Sequence, residues 1–158
     1  CRPRAAALAA VTGRRLCTGH SLGAALATLA ASRHAPQALY TYGSPRVGDL
    51  AFAEAMASVD HYSYVNCCDI VSRVPAEAMT YRHTGLAAYL DRRGAQHEAL
   101  PESLVKEDQQ RARRAYLLRW SWRPGALWTR DAADHAPINY VSALSRSHEY
   151  QLSRSVGS

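Results

Sequence analysis

The sequence has no apolar run near the roughly 20 residues that a membrane-spanning helix needs, because Arg, His or Pro interrupts every candidate stretch. Lysine is almost missing: 18 of the 19 basic residues are arginine, and Lys106 is the exception. A phosphate-gripping protein usually mixes the two on one face, so arginine and alanine spread throughout point first to base composition. The net charge of +6 could still draw an anionic membrane or an acidic ligand, but charge alone names no partner. None of the four cysteines (Cys1, Cys17, Cys67, Cys68) sits in a CxxC pair, and the adjacent Cys67 and Cys68 cannot close a normal loop. That argues against zinc and against a disulfide framework, and leans towards a reducing, cytoplasmic compartment without assigning one. Internal repeats and long linkers are absent too. No secretory leader is visible, and the chain opens on Cys1 rather than Met.

What remains is an ordinary globular composition, 47% hydrophobic and 20% charged over 158 residues, enough for one domain with a sizeable core. Ala5 to Val11 reads as a helix ending near Gly13, and Arg15 to Thr18 as a short strand. Leu22 to Arg33 reads as a strong helix closed before Pro36. Gln37 to Tyr42 follows as a strand, Val47 to Ser58 as a helix and His61 to Asn66 as a third strand. Val71 to Thr80 is expected to be loop, Tyr81 to Leu90 one or two strands, Ser103 to Trp120 helix, and Ile138 to Ser145 a terminal helix. Strands alternating with helices of this length predict an α/β protein with a largely parallel sheet.

The most informative string is GHSLG at 19–23, set between a strand and a helix. A sharp turn there would lift the Ser21 side chain above the end of the sheet, with Gly19 and Gly23 leaving room for it. The amide of Leu22, at the helix start, is then placed to stabilise an oxyanion. A serine nucleophile needs a base and an orienting carboxylate, and in this fold class the chain order is Ser, acid, His. Asp69 follows the strand HYSYVN at the end where such sheets hold their reactive groups. Downstream of it, His83, His135 and His148 are the candidate bases.

Five blocks in order, GHSLGAALATLAA, TYGSPRVGD, NCCDIVSRVP, YRHTG and DHAPINY, resemble the class 3 lipases, the fungal lipase type of α/β hydrolase. The resemblance runs from about Arg14 to Tyr140. It implies an α/β-hydrolase fold, with Ser21 as nucleophile, Asp69 as acid, His135 as base and the Leu22 amide in the oxyanion hole. It also implies hydrolysis of carboxylic esters, typically acylglycerols, without metal or organic cofactor. Ala24 stands where many members have another Gly, and Ser72 where the acid loop often has Pro. The upstream strands, the second oxyanion donor and the lid of such a domain have no counterpart here. The expectation is therefore a single partial domain over residues 1–158, the C-terminal two-thirds of a lipase domain, poorly stable and inactive alone. The alternative is an inactive fragment or a remnant that binds lipid or a partner.

The remaining candidates have bland readings as well. His20, beside Ser21, is expected to point away from it and pack under the turn. His34, His61 and His97 are expected at the surface or in packing, and Asp134, abutting His135, cannot face it usefully. Arg46 and Asp49 could pair near the site, although a structural role such as capping the next helix is favoured. Arginines interleaved with Tyr116, Leu117, Leu118, Trp120, Trp122 and Trp128 could rest on a membrane or lipid-droplet surface, against the simpler reading of a helix packed on the sheet. The expected partner is a lipid or small ester substrate. Nucleic acid is not expected, since no recognition module is present.

Overall fold

The computed structural model describes residues 13–119 and 129–156. Its elements in chain order are β1 (Leu16–His20), α1 (Leu22–Arg33), β2 (Ala38–Tyr42), α2 (Leu50–Ala55), β3 (His61–Asn66), β4 (Leu86–Leu90), β5 (Gln96–His97), α3 (Glu102–Arg119), α4 (Arg130–His135) and α5 (Pro137–Val156). Two single 3₁₀ turns, Val71–Arg73 and Glu77–Met79, occupy the stretch expected to be loop. The strands form one sheet in the order β1-β2-β3-β4-β5, parallel as far as β4 and antiparallel at β5. This is the largely parallel α/β sheet that the alternating pattern predicts.

Period-two alternation decides what each sheet face carries. In β2 and β3 the register sets Tyr40 beside Tyr62 and Tyr42 beside Tyr64, and both pairs stack with ring centroids 5.2 Å apart. On this face Tyr42 and Tyr64 pack against a cluster of Leu90, Tyr140 and Ala143, which brings α5 onto the sheet. The opposite face presents Leu39, packed with Ala31 of α1 and Met56 beyond α2, and with Cys17, Ala27, Phe52 and Val59 around them. Burial on both faces is what a parallel sheet requires.

Several boundaries differ from expectation for local reasons. The second helix starts at Leu50 because the Asp49 side chain caps it, accepting from Phe52 N at 2.9 Å, while Gly48 is held by a bridge to Arg82. That bridge also takes the place of a strand at 81–85, leaving only Leu86–Leu90 in the sheet. The last helix runs on to Val156, and α4 and β5 are elements that the sequence pattern did not announce. The helix expected over Ala5 to Val11 lies outside the described residues, as do residues 120–128 of the Arg- and Trp-containing segment. Among the described residues β1 is an edge strand, and Leu16, Leu22, Leu26 and Leu29 beside it remain exposed. No described helix is long and apolar enough to cross a membrane.

His61 shows how the polar interior is satisfied. It is buried, with Thr41 Oγ1 at 2.8 Å from Nε2 and Thr84 Oγ1 at 3.0 Å from Nδ1. Burial, and secondarily the charge of His83, lower its pKa from 6.5 to about 4. The unfolded chain therefore binds more protons than the folded one between those values, so stability is lost as pH falls through them. Thermal melting from pH 7 to pH 4 should show a falling midpoint, and His61→Asn should flatten that fall relative to the parent. An unchanged slope in His61→Asn would place the acid sensitivity elsewhere.

Candidate active site

Ser21 sits between the end of β1 and the start of α1 with φ 58° and ψ −130°, a left-handed backbone that costs a non-glycine residue about 1–3 kcal/mol. The turn is held because Ser21 N donates to Tyr42 O at 3.0 Å, and Ser21 O accepts from Ala24 N at 3.0 Å. Gly19 permits it: a Cβ there would run into the backbone of Gly23 and Ala24. Gly23 plays no equivalent part, since a Cβ on it would meet open space. Leu22 opens α1, so its N–H has no carbonyl four residues back within the helix and stays beside Ser21.

The structure brings Ser21, His135 and Asp69 together from three parts of the chain. Ser21 Oγ lies 2.8 Å from His135 Nε2, and His135 Nδ1 lies 3.0 Å from both carboxylate oxygens of Asp69. An ionised carboxylate only accepts, so Nδ1 carries the proton and donates to Asp69, while Nε2 accepts from the Ser21 hydroxyl. Asp69 is fully buried at the turn that follows β3. Its Oδ2 accepts the Tyr140 hydroxyl at 2.6 Å and its Oδ1 accepts Val71 N at 2.8 Å. Tyr140 OH in turn accepts Asn66 N at 3.0 Å, which ties α5 to the end of β3. Burial and the adjoining Asp69 carboxylate push the Tyr140 hydroxyl pKa well up, so it remains a donor.

His20 is placed differently from expectation. Its ring packs on His135 with centroids 4.8 Å apart, and its Nε2 meets His135 O at 2.8 Å. With a carbonyl as partner, that nitrogen must be the donor. Gly43, directly after β2, has a role at the site that the sequence did not reveal. It has φ +56°, and a Cβ on it would strike Asp69 Oδ2, Tyr140 OH and His135 Nδ1. A glycine following a strand of this class was the available signal, although nothing local says which side chains crowd it.

The competing groups have other partners. His83 Nε2 lies 2.7 Å from Ser72 O, and His97 pairs with Asp91 at 3.1 Å. His148 lies within α5 rather than after it, and is exposed. Asp134 faces Arg130 at 2.7 Å and accepts Cys68 N at 3.0 Å. Burial, only partly offset by Arg130, raises its pKa. Arg46 donates to the carbonyls of Arg73 and Pro75, so both it and the helix-capping Asp49 have structural roles. Among the described residues, one grouping has metal-ligand character: Cys67, Cys68 and Asp134, on the turn that precedes Asp69 and on α4.

Residues 12–79 match the family described as Lipase (class 3). The chain is 42% identical over 93 residues to secreted mono- and diacylglycerol lipase 1 of Fusarium solani, covering 55% of this chain and 28% of that protein. It is 46% identical over 65 residues to toxin TseL of Vibrio cholerae, covering 37% and 10%. Lipase II from Rhizopus niveus overlays 49% of this chain and 33% of its own at 31% identity, with a TM-score of 0.45. The chain thus spans about a third or less of the length of each of these relatives. Over residues 12–79 the chain is similar to the class 3 lipase family, and its largely parallel α/β sheet is of the α/β-hydrolase class. That family is one of serine ester hydrolases.

The crowding around Gly43 gives a direct test of this geometry. Gly43→Ala should destabilise the protein by about 1–3 kcal/mol, since both the positive φ and the displaced Asp69 carboxylate oppose the new methyl. Chemical denaturation compares the two proteins, and an unchanged midpoint would mean that the buried cluster is looser than drawn.

Proposed function

We propose that the protein hydrolyses carboxylic esters of lipids, acylglycerols foremost, through an acyl-enzyme on Ser21. The supporting observation is the unbroken hydrogen-bond chain from Ser21 Oγ through His135 to buried Asp69. In this reading His135 Nε2 takes the Ser21 proton as Oγ attacks the ester carbonyl, and returns it to the departing alcohol. Asp69 fixes the tautomer and stabilises the imidazolium that forms. The Leu22 amide, at the positive end of α1, supports the oxyanion. Water activated by His135 then releases the acid.

Exposed apolar residues close in sequence to the three aligned side chains favour a lipid over a polar ester. Leu22, Ile70 and Ile138 are all exposed, and they lie one, one and three residues along the chain from Ser21, Asp69 and His135. Together with Leu26 they offer surface to an acyl chain or to a lipid aggregate. A non-catalytic lipid-binding protein would share this surface, but would have no use for a strained Ser21 aligned on His135.

Turnover of short-chain p-nitrophenyl esters and labelling by a fluorophosphonate probe, both in a full-length version of the protein, test the reading. Ser21→Ala should abolish both, and His135→Ala should remove nearly all turnover. Asp69→Asn should keep the fold but lower kcat by about 10⁴, because the imidazole loses its orienting anion. His83→Ala and His148→Ala should retain a substantial share. Loss in His83→Ala with His135→Ala active would overturn the assignment, and absence of labelling in the full-length protein would favour the non-catalytic reading.

A further inference from the structure

The turn that carries Asp69 is built on two adjacent cysteines. Asp69 N donates to Asn66 O at 2.8 Å, so Cys67 and Cys68 are its two corner residues, and Cys67 has φ 34°. Both side chains are fully buried, with the sulfurs 3.7 Å apart. No part of the ester-hydrolysis scheme uses them.

That spacing selects the kind of chemistry. A direct S–S bond is disfavoured, since adjacent Cα atoms are about 3.8 Å apart and ordinary disulfides need about 4.4–6.8 Å. Two sulfurs bound to a single pyramidal atom at about 2.3 Å, with an angle of about 100°, stand roughly 3.5 Å apart, so a bridging atom needs a closure of only a few tenths of an ångström. Zinc would require about four ligands. The third ligand at hand, Asp134, is already held by Arg130 and by Cys68 N. Hydrogen bonding with Cys68 and burial also push the Cys67 thiol pKa up, which opposes the thiolate that a cation needs. A neutral, three-coordinate soft atom has neither requirement.

We infer that Cys67 and Cys68 form a dithiol site for a trivalent arsenical, bridged by one arsenic atom, and that filling it disturbs the turn that positions Asp69. Each thiol gives its hydrogen to the arsenic-bound oxygen, which leaves as water. Two As–S bonds replace the bonds to oxygen, with no change of oxidation state. Access depends on α3, which covers the pair: Cys67 Sγ contacts Asp108 Oδ2, Cys68 Sγ contacts Gln109 O, and Ala112 completes the cluster. This helix buries only Ala112 and Tyr116 and is otherwise held by polar contacts such as Asp108 with Arg92 and Arg113 with Asp131. An element with so little apolar anchoring opens more readily than the sheet.

The coupling to Asp69 rests on the role proposed above for that residue, whereas the site itself does not. The full chain is treated with phenylarsine oxide and measured by intact mass. The expected product carries one phenylarsenic group with two hydrogens lost, reversed by 2,3-dimercaptopropanol and resistant to 2-mercaptoethanol. Cys67→Ser and Cys68→Ser should each lose it, and Cys17→Ser should keep it. Fluorophosphonate labelling of Ser21 should fall at least tenfold in the adduct and recover with the dithiol. Absence of an adduct, its persistence in either serine variant, or stoichiometric zinc retained by the purified protein would overturn the site. An adduct that leaves labelling unchanged would overturn the coupling. If the untreated protein is never labelled, the ester-hydrolase reading is the one that fails, and mass alone decides the dithiol site.

Discussion

The carboxylate of Asp69 is fully buried, and an anion taken out of water without partners would cost several kcal/mol. Three donors answer it: Val71 N, Tyr140 OH and His135 Nδ1. Each fixes something larger. Val71 shapes the 3₁₀ turn after the strand, Tyr140 pins the start of α5 to β3 through Asn66, and His135 reaches across to Ser21. The space around the carboxylate is so filled that a Cβ at position 43 would displace Asp69 Oδ2. Satisfying one buried charge and aligning the serine are thus the same structural event.

The sheet supplies the stage for that event. β1, β2 and β3 run parallel, so His20, Tyr42 and Asn66 all end on one side, where Ser21, Gly43 and Asp69 follow closely. Alternation along the same strands places the Tyr42–Tyr64 stack under α5 and thereby under Tyr140. On the opposite face, α1 is packed against Leu39 through Ala31, which holds the helix whose first amide lies beside Ser21. A substitution that loosened either layer would be felt at the site through these contacts.

Much of this was legible in the sequence because it is local. Leu22 to Arg33 and His61 to Asn66 were read with the bounds observed, since a run of Ala and Leu with no breaker after Gly23, or tyrosines at alternate positions, specifies an element within one short window. The GHSLG turn and the strand end brought Ser21 and Asp69 forward, the order left His83, His135 and His148 open, and only the resemblance to class 3 lipases singled out His135. What escaped depends on contacts between distant segments. α4 has only six residues, and it stands because Thr129 caps it and Arg113, from α3, grips Asp131. The contact of His20 with His135 spans 115 positions, and the collision awaiting a Cβ at Gly43 involves residues from β3's turn, α4 and α5. No window of sequence contains those partners.

The central claim is that the aligned serine performs acyl transfer. Its most direct measurement is rapid-quench mass spectrometry during turnover of an activated ester. The account predicts a transient acyl group on the peptide containing Ser21, accumulating in the parent protein and absent from Ser21→Ala. Ester hydrolysis that proceeds with Ser21 never acylated would contradict it.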